Sequence, residues 1–429
     1  MTAEHQKVHI TLVGGQPYPI YVGLKVTSPD RVIMVCSKQS RKDADLIASV
    51  AGIDQSRLEV VMVDADDIKS SHDELLEHVV KRISPDCEYT VSLTGGPKPW
   101  SLFLYQFLFG KENVKLMYVD QASNICSLDS LSQMASGVEL DMDILFRLKN
   151  AEAKEYLEFS SFTEEDFVVT SKMDALYSLN NRDLVKCFGI MTNPSRPHNR
   201  SELPSAIDYP PAELQGQRPL VEFNRMPDLF RGSFMKFEMK DGTGHADMIC
   251  RSKGFHGFDE SLSFKSPHLM DLLFFAGWFE VFTARMLSKW KGSREIRVGV
   301  RFDFANSEKI KNEIDVIVNT GGKLLFVECK TKIFNKTDLD KFSNVVKQYG
   351  GMGSKALFVS YFSIENDPDT EEKCKATGII YFSIEDARNK WNPLWRFHMS
   401  GAELEEMNSF VQQEFNNLLD EKLKISNKM

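Results

Sequence analysis

Paired cysteines are missing from this sequence. Its seven, Cys36, Cys87, Cys126, Cys187, Cys250, Cys329 and Cys374, are scattered and none forms a CxxC pair. That excludes a zinc ribbon or dithiol motif and predicts reduced thiols in a cytoplasmic protein. A basic excess is missing too: 52 Lys and Arg face 61 Asp and Glu, a net charge of −9. A general basic face for duplex DNA is therefore not expected, and any nucleic-acid contact has to come from a local patch or groove. No apolar run has the length of a membrane span; the best, around Leu269–Phe282, carries Asp271 and Glu280. The first residues lack a basic segment followed by a long apolar one, so no signal peptide is expected. The glycine spacing of a dinucleotide fingerprint, the P-loop and the HExxH pair are all absent, as are internal repeats and low-complexity tracts. What remains is an ordinary globular composition, 42% hydrophobic and 26% charged over 429 residues, enough for two or three domains with cores.

The most informative stretch is Glu313 to Lys332. Two apolar runs, Ile314–Val318 and Leu324–Val327, flank Thr320-Gly321-Gly322, a β-hairpin pattern. Asp315 opens the first run; Glu328, Cys329 and Lys330 close the second. Residues two apart in a strand share a face, so Glu328 and Lys330 project together, and the hairpin can bring Asp315 beside them. Two carboxylates there can hold a hard divalent cation, Mg²⁺ or Mn²⁺, for attack on a phosphodiester. The lysine can orient the attacking water or stabilise charge on the phosphate. A surface hairpin with a salt bridge has the same residues, so the surrounding order matters.

Ahead of the hairpin lies an amphipathic helix pattern, Leu269–Trp290, with Glu280; after it come a helix, Thr337–Tyr349, then Lys355 and the strand Ala356–Tyr361. Helix with Glu, strand with Asp, strand with ExK, helix, strand: this resembles the PD-(D/E)xK nuclease core over Leu269 to Tyr361. The resemblance implies metal ligands Asp315 and Glu328, a catalytic Lys330 and a supporting Glu280. Lys355 is a more remote candidate.

The N-terminal part alternates apolar strands with helices. The strands are Val8–Val13, Arg31–Cys36, Leu58–Val63, Tyr89–Leu93 and Val114–Val119. That pattern predicts a parallel α/β sheet covered on both faces, with a ligand crevice at the carboxyl ends of the strands. Three strand ends carry small or polar residues: Gly14-Gly15-Gln16, Ser37-Lys38-Gln39-Ser40 and Thr94-Gly95-Gly96-Pro97-Lys98. The last opens a helix. Its glycines let backbone N–H groups approach a ligand, and Lys98 supplies a charge for phosphate. A tight turn that needs glycine for geometry alone would read the same. The Asp64–Asp67 run reads as a solvated loop, because no calcium-loop spacing supports it.

A Rossmann-like domain with a TGG-x-K turn after its fourth strand resembles the CARF sensor domain. Joined to a C-terminal PD-(D/E)xK core, it resembles the CARF-fused nucleases activated by cyclic oligoadenylate in type III CRISPR defence. The resemblance implies a homodimer whose two-fold cleft binds cyclic tetra-adenylate through Thr94, Gly95, Gly96 and Lys98, with Gly14, Gly15, Gln16 and Ser37 also candidates. Pro97 departs from the polar residue common there and removes one amide from the turn. Single-stranded RNA or DNA, or supercoiled DNA to be nicked, would be the substrate. Two rivals share this layout: a regulator whose core only binds, and a sensor that itself degrades cyclic oligoadenylate with Lys98 or Ser37.

The expected division is a sensor over residues 1–145, a linking region over 146–255 and a nuclease over 256–429. In the linking region, Ile144–Phe159 and Thr163–Val185 carry helical patterns, and Thr192–Arg218 has linker composition. Arg196, His198, Arg200 and Arg218 lie there; a flexible polar linker is the preferred reading, with nucleic-acid contact as the alternative. Gly232–Cys250 reads as a hairpin turning at Asp241-Gly242, and a small winged-helix-like module is expected. Trp391 and Trp395 are read as packing residues with a stacking alternative, and Leu404–Leu423 as an amphipathic capping helix. A basic groove is expected near Lys323, Lys330, Lys332 and Lys336.

Overall fold

The structure, a computed structural model, describes residues 5–120, 124–136, 138–178, 182–192, 206–209, 228–253, 258–275, 277–302, 312–331, 337–351, 353–364, 368–395 and 400–423. Arg196, His198, Arg200, Arg218, Lys332 and Lys336 lie outside these residues.

The first domain runs β1 (Gln6–Leu12), α1 (Pro17–Thr27), β2 (Arg31–Cys36), α2 (Arg41–Ala51), β3 (Leu58–Met62), α3 (Ile68–His78), β4 (Cys87–Ser92), α4 (Lys98–Leu108) and β5 (Val114–Val119). Short strands β6 (Ile125–Ser127) and β7 (Ser132–Ala135) close it. The sheet order is β3-β2-β1-β4-β5-β6-β7, parallel through β5 and antiparallel beyond. The strands are apolar runs because both faces are covered: α1 and α2 pack on one side, α3 and α4 on the other. Within the acidic loop, Asp67 caps α3 by accepting the Lys69 and Ser70 N–H groups.

Between the domains lies α5 (Met142–Arg147), followed by β8 (Ala153–Glu158), α6 (Glu164–Ser178), α7 (Arg182–Thr192) and β9 (Ala206–Tyr209). The helical pattern read over Ile144–Phe159 is thus split into α5 and a strand. Asn150 adopts a left-handed φ of 51°, which ends the helical run. Next come β10 (Phe234–Lys240), β11 (Thr243–Arg251) and β12 (Asp259–Ser266). These three and β9 form an antiparallel sheet, β12-β11-β10-β9, backed by α6, α7 and α8 (Leu269–Phe274). The expected winged-helix-like module is therefore replaced by a four-stranded sheet; β10 and β11 alternate buried and exposed residues with period two. The expected hairpin is present, with Asp241 and Gly242 both at positive φ.

The last part adds α9 (Gly277–Ser288), β13 (Glu295–Phe302), β14 (Asn312–Asn319), β15 (Leu324–Lys330), α10 (Thr337–Tyr349), β16 (Lys355–Ser360), α11 (Pro368–Thr377), β17 (Ile379–Ser383), α12 (Ile384–Trp391) and α13 (Gly401–Leu423). The helix read over Leu269–Trp290 is two helices, α8 and α9. A Cβ on Gly277 would stand 3.0 Å from the Asp271 carbonyl oxygen, so the chain passes close there. The second large sheet has the order β17-β16-β15-β14-β13-β8. The segment before residue 256 thus supplies an edge strand to this sheet, and β11 and β12 pair across that point. Successive strand residues serve opposite layers: Val316 and Val318 pack with α9, whereas Ile317 and Phe326 pack with α10. The α10 layer is continuous with the α1–α2 layer of the first domain, through Leu140, Met142 and Phe146.

Candidate functional site

The second sheet forks. β14 and β15 pair only from Val316↔Val327 to Asn319↔Leu324, whereas β14 pairs with β13 as far as Asn312 and β15 runs beside β16 as far as Lys330. β15 is antiparallel to one neighbour and parallel to the other, and the split opens beyond Val316 and Val327. Asp315 and Glu328 are the first residues past it. The Cys329 N–H, which has no strand partner across the fork, donates to Asp315 Oδ2 at 2.7 Å.

Lys330 Nζ reaches both carboxylates, 2.6 Å from Glu328 Oε1 and 3.6 Å from Asp315 Oδ2. Burial and the neighbouring Asp315 push the Glu328 carboxyl up to about 7. Burial also raises Asp315, against the pull of Lys330 and the Cys329 amide. Burial pulls the Lys330 ammonium down, but Asp315 and Glu328 outweigh it and hold it above its usual value. Glu280, from α9, is pushed well up by burial and then by Asp315 and Glu313. The four residues singled out from the sequence therefore share one electrostatic site. It is short of positive charge: three carboxylates face one lysine.

Asp315 and Glu328 offer hard oxygen donors on one side of one strand pair, which fits Mg²⁺ or Mn²⁺ chemistry. A cation there would offset the burial that lifts both carboxyls and the repulsion by Asp315 that adds to it at Glu328. Among the described residues no group of three or more His, Cys, Asp or Glu side chains is arranged to hold a metal. The set is thus a pair of carboxylates, and water or substrate oxygens would fill the other positions, as is usual for Mg²⁺.

Two residues near the fork were not anticipated from the sequence. Asp338, in the first turn of α10, adds negative charge near Glu328. Thr283 of α9 is buried beside the Cys329 thiol. Both lie on the helices flanking the hairpin, at positions that carry no motif of their own. Two anticipated basic residues are elsewhere. Lys355 pairs opposite Leu325, and Lys323 precedes β15, so both sit at the far end of that strand, roughly 20 Å from Lys330 by strand rise. Lys323 lies over Gly353 there. Trp395 is buried, donates to Asn389 Oδ1 at 3.0 Å and stacks near Arg388, which is a packing role.

The first domain brings its loops together differently. In the order β3-β2-β1-β4-β5 the topological switch lies between β1 and β4, where α/β folds bind ligands. The loops after those strands touch there: a Cβ on Gly14 would stand 2.9 Å from Gly96 N, and one on Gly95 would stand 1.9 Å from the Leu12 carbonyl oxygen. Gly96 has φ +71°, and Gly15 is open to solvent. Gln16 precedes α1 without capping it, and Lys98 is exposed at the start of α4. Thr94 and Ser37 are tied up internally. The Val119 N–H donates to Thr94 Oγ1 at 2.7 Å, and Ser37 exchanges hydrogen bonds with Ser40.

A sensor-type α/β crevice and a forked nuclease sheet in one chain define a ligand-sensing nuclease architecture. Residues 8–141 match the family described as the Card1 CARF domain, and residues 271–372 match the Card1-like endonuclease domain. The chain thus joins a Card1-type CARF domain to a Card1-like endonuclease domain. Its fold is similar to that of Can2 from Sulfobacillus thermosulfidooxidans, solved in complex with cyclic tetra-adenylate, with 16% identity and a TM-score of 0.60 over 97% of this chain and 99% of that one. Protein VC1899 from Vibrio cholerae is similar with 13% identity and a TM-score of 0.63, over 96% and 98%. At these identities the likeness is one of fold. No curated protein matches the chain.

Proposed function

We propose that the protein is a metal-dependent endonuclease switched on by a cyclic oligoadenylate, cyclic tetra-adenylate first, in type III CRISPR antiviral defence. Its substrate class is single-stranded RNA or DNA, or supercoiled DNA to be nicked, and it works in the cytoplasm as a homodimer. The observation that carries the reading is the fork, which sets Asp315 and Glu328 within reach of one lysine at the end of β15. Asp315 and Glu328 would hold Mg²⁺ or Mn²⁺. When bound, the ion supplies Lewis-acid polarisation of the phosphodiester. Lys330 orients the attacking water and offsets charge building on the phosphate, and Glu280 supports the pair from α9.

Activator binding is proposed at the β1–β4 switch point, with Gly14, Gly15, Gln16, Gly95, Gly96 and Lys98 lining the crevice and Thr94 and Ser37 bracing it. The Can2 complex supports this choice of ligand. The dimer is supported by an apolar stripe along α4, the helix that starts at Lys98, and the residue that ends it: Leu102, Tyr105 and Phe109 are 67%, 38% and 51% exposed. Two-fold pairing along α4 would set the two ligand loops side by side. Among the described residues no helix is long and apolar enough to cross a membrane.

The test is cleavage of labelled single-stranded RNA, single-stranded DNA and supercoiled plasmid with Mg²⁺ or Mn²⁺, with and without cyclic tetra-adenylate, beside Glu328→Ala. Activator-dependent cleavage lost in the variant is expected. Equal cleavage by the variant would move the chemistry away from the fork.

A further inference from the structure

The segment leaving the sensor is clasped to the closed end of the catalytic hairpin. Asn319, the last residue of β14, is 3% exposed. Its Nδ2 donates to the Leu140 carbonyl oxygen at 2.6 Å, and its Oδ1 accepts the Gly321 N–H at 2.9 Å. The Leu140 N–H in turn donates to the Gly321 carbonyl oxygen at 2.9 Å. One side chain thus holds the hairpin turn and the sensor's exit segment in a single ring of hydrogen bonds. Around it, Arg294 pairs with Glu139 at 3.2 Å and the Met142 N–H donates to Glu295 Oε2 at 3.1 Å.

The other end of the same segment meets the sensor crevice. The Tyr18 hydroxyl, in the first turn of α1, donates to the Val138 carbonyl oxygen at 3.5 Å. Tyr18 lies two residues after Gln16 and three after Gly15. A movement of the α1 N-terminus can therefore reach Val138–Leu140, then the turn at Asn319–Gly321, then Asp315 within the same strand. The apolar layer that runs unbroken from α1 to Ile317 and Phe326 makes this a packed route rather than a flexible one.

We propose that Asn319 is a positioning residue that couples the sensor to the nuclease, by locking the register of the β14–β15 hairpin to the Val138–Leu140 segment. The inference rests on the ligand-activated reading above. A ligand shifts an equilibrium only through a contact whose geometry differs between the two states. On this inference the Asn319 contact, which lies outside both sites, is the one that differs.

The test is Asn319→Asp in the full chain. This near-isostere keeps the acceptor for Gly321 N–H and removes the donor to Leu140. The readouts are the dissociation constant for cyclic tetra-adenylate and the ratio of cleavage rates with and without it. The expected result is a dissociation constant within about threefold of wild type and an activation ratio reduced at least tenfold. Coupling is reciprocal, so a non-cleavable oligonucleotide with Ca²⁺ should tighten activator binding in wild type and leave it unchanged in the variant. A merely structural role would not remove that linkage. If Asn319→Asp fails to fold, Tyr18→Phe cuts the other end of the clasp and should lower the ratio in the same direction. An unchanged activation ratio in a folded variant overturns the inference and leaves the ligand-activated reading standing. A wild-type protein that binds the activator yet shows no activation overturns both.

Discussion

At the sensor switch point the walls are main chain; at the nuclease fork they are ionisable side chains. The crevice between β1 and β4 is shaped by glycines packed so closely that a single added carbon collides with backbone. The fork is shaped by carboxylates and a lysine whose pKa values are all displaced by burial and by one another. One site is specified by conformation, the other by charge. They should therefore fail to different substitutions, and the contrast can be broken or sharpened by experiment.

The largest effect is expected at Gly95. A Cβ 1.9 Å from the Leu12 carbonyl oxygen forces the loop away from β1. Gly95→Ala should abolish activator binding and lower the unfolding free energy by roughly 3 kcal/mol, in the range of severe overpacking. Gly15→Ala, with no atom within 4 Å of the added carbon, should leave stability unchanged to within roughly 0.5 kcal/mol. Calorimetry with isothermal titration reads both, and equal behaviour of the two variants would undo the main-chain account.

Next comes the charge side of the comparison. Burial and the neighbouring Asp315 push the Glu328 carboxyl up to about 7 in the folded protein, above the 4.5 of a free glutamate. A raised carboxyl leaves the fold unpenalised below the unfolded value and loses stability as pH climbs through 7, because the unfolded chain gives up the proton first. In metal-free protein Glu328→Gln should therefore be stabilising by about 2 kcal/mol at pH 8 and by almost nothing at pH 4. Thermal melts across that range check the sign. Excess Mg²⁺ or Mn²⁺ should stabilise the wild type and not the variant.

The smallest effect is expected at Lys98, exposed and outside the packed loops. Lys98→Ala should weaken cyclic tetra-adenylate binding about tenfold, the loss of one charge-assisted phosphate contact, with metal binding at the fork intact. A rising salt concentration should narrow the gap between variant and wild type.

Much of this layout could be read from the sequence, and the failures have physical causes. The hairpin turn at Gly321 and the ExK spacing placed Asp315, Glu328 and Lys330 together because strand periodicity and turn chemistry are local. Thr337–Tyr349 and Arg31–Cys36 were readable to the residue for the same reason. β13 was not read as a strand. Its run EIRVGVRF carries Gly299 at φ +62° in the middle, pairing with β8 shifts register there, and each of its arginines has a partner distant in sequence, Asp143 for Arg297 and Glu155 for Arg301. Arg297 is buried against Asp143 and Glu295 and lies over the Tyr156 ring. The same limit hid the Asp174–Tyr361–Arg388 network. Arg388 donates to both Asp174 oxygens and to the Tyr361 hydroxyl, joining α6 to the nuclease core, yet the three residues are far apart in the chain. Lys323 is close to Lys330 in sequence, but β15 carries its two ends apart, and Lys355 on β16 falls at the Lys323 end.

The contact between the Gly14 and Gly96 loops has a further consequence. A floor made of main chain offers no side chain for mutation to alter, so its shape is nearly fixed once the fold is fixed. On the proposed reading, discrimination between activators of different ring size falls to the rim, at Gln16 and the exposed Lys98, where single substitutions are sterically cheap. A sensor built this way can be retuned to a new signal without rebuilding the domain that transmits it.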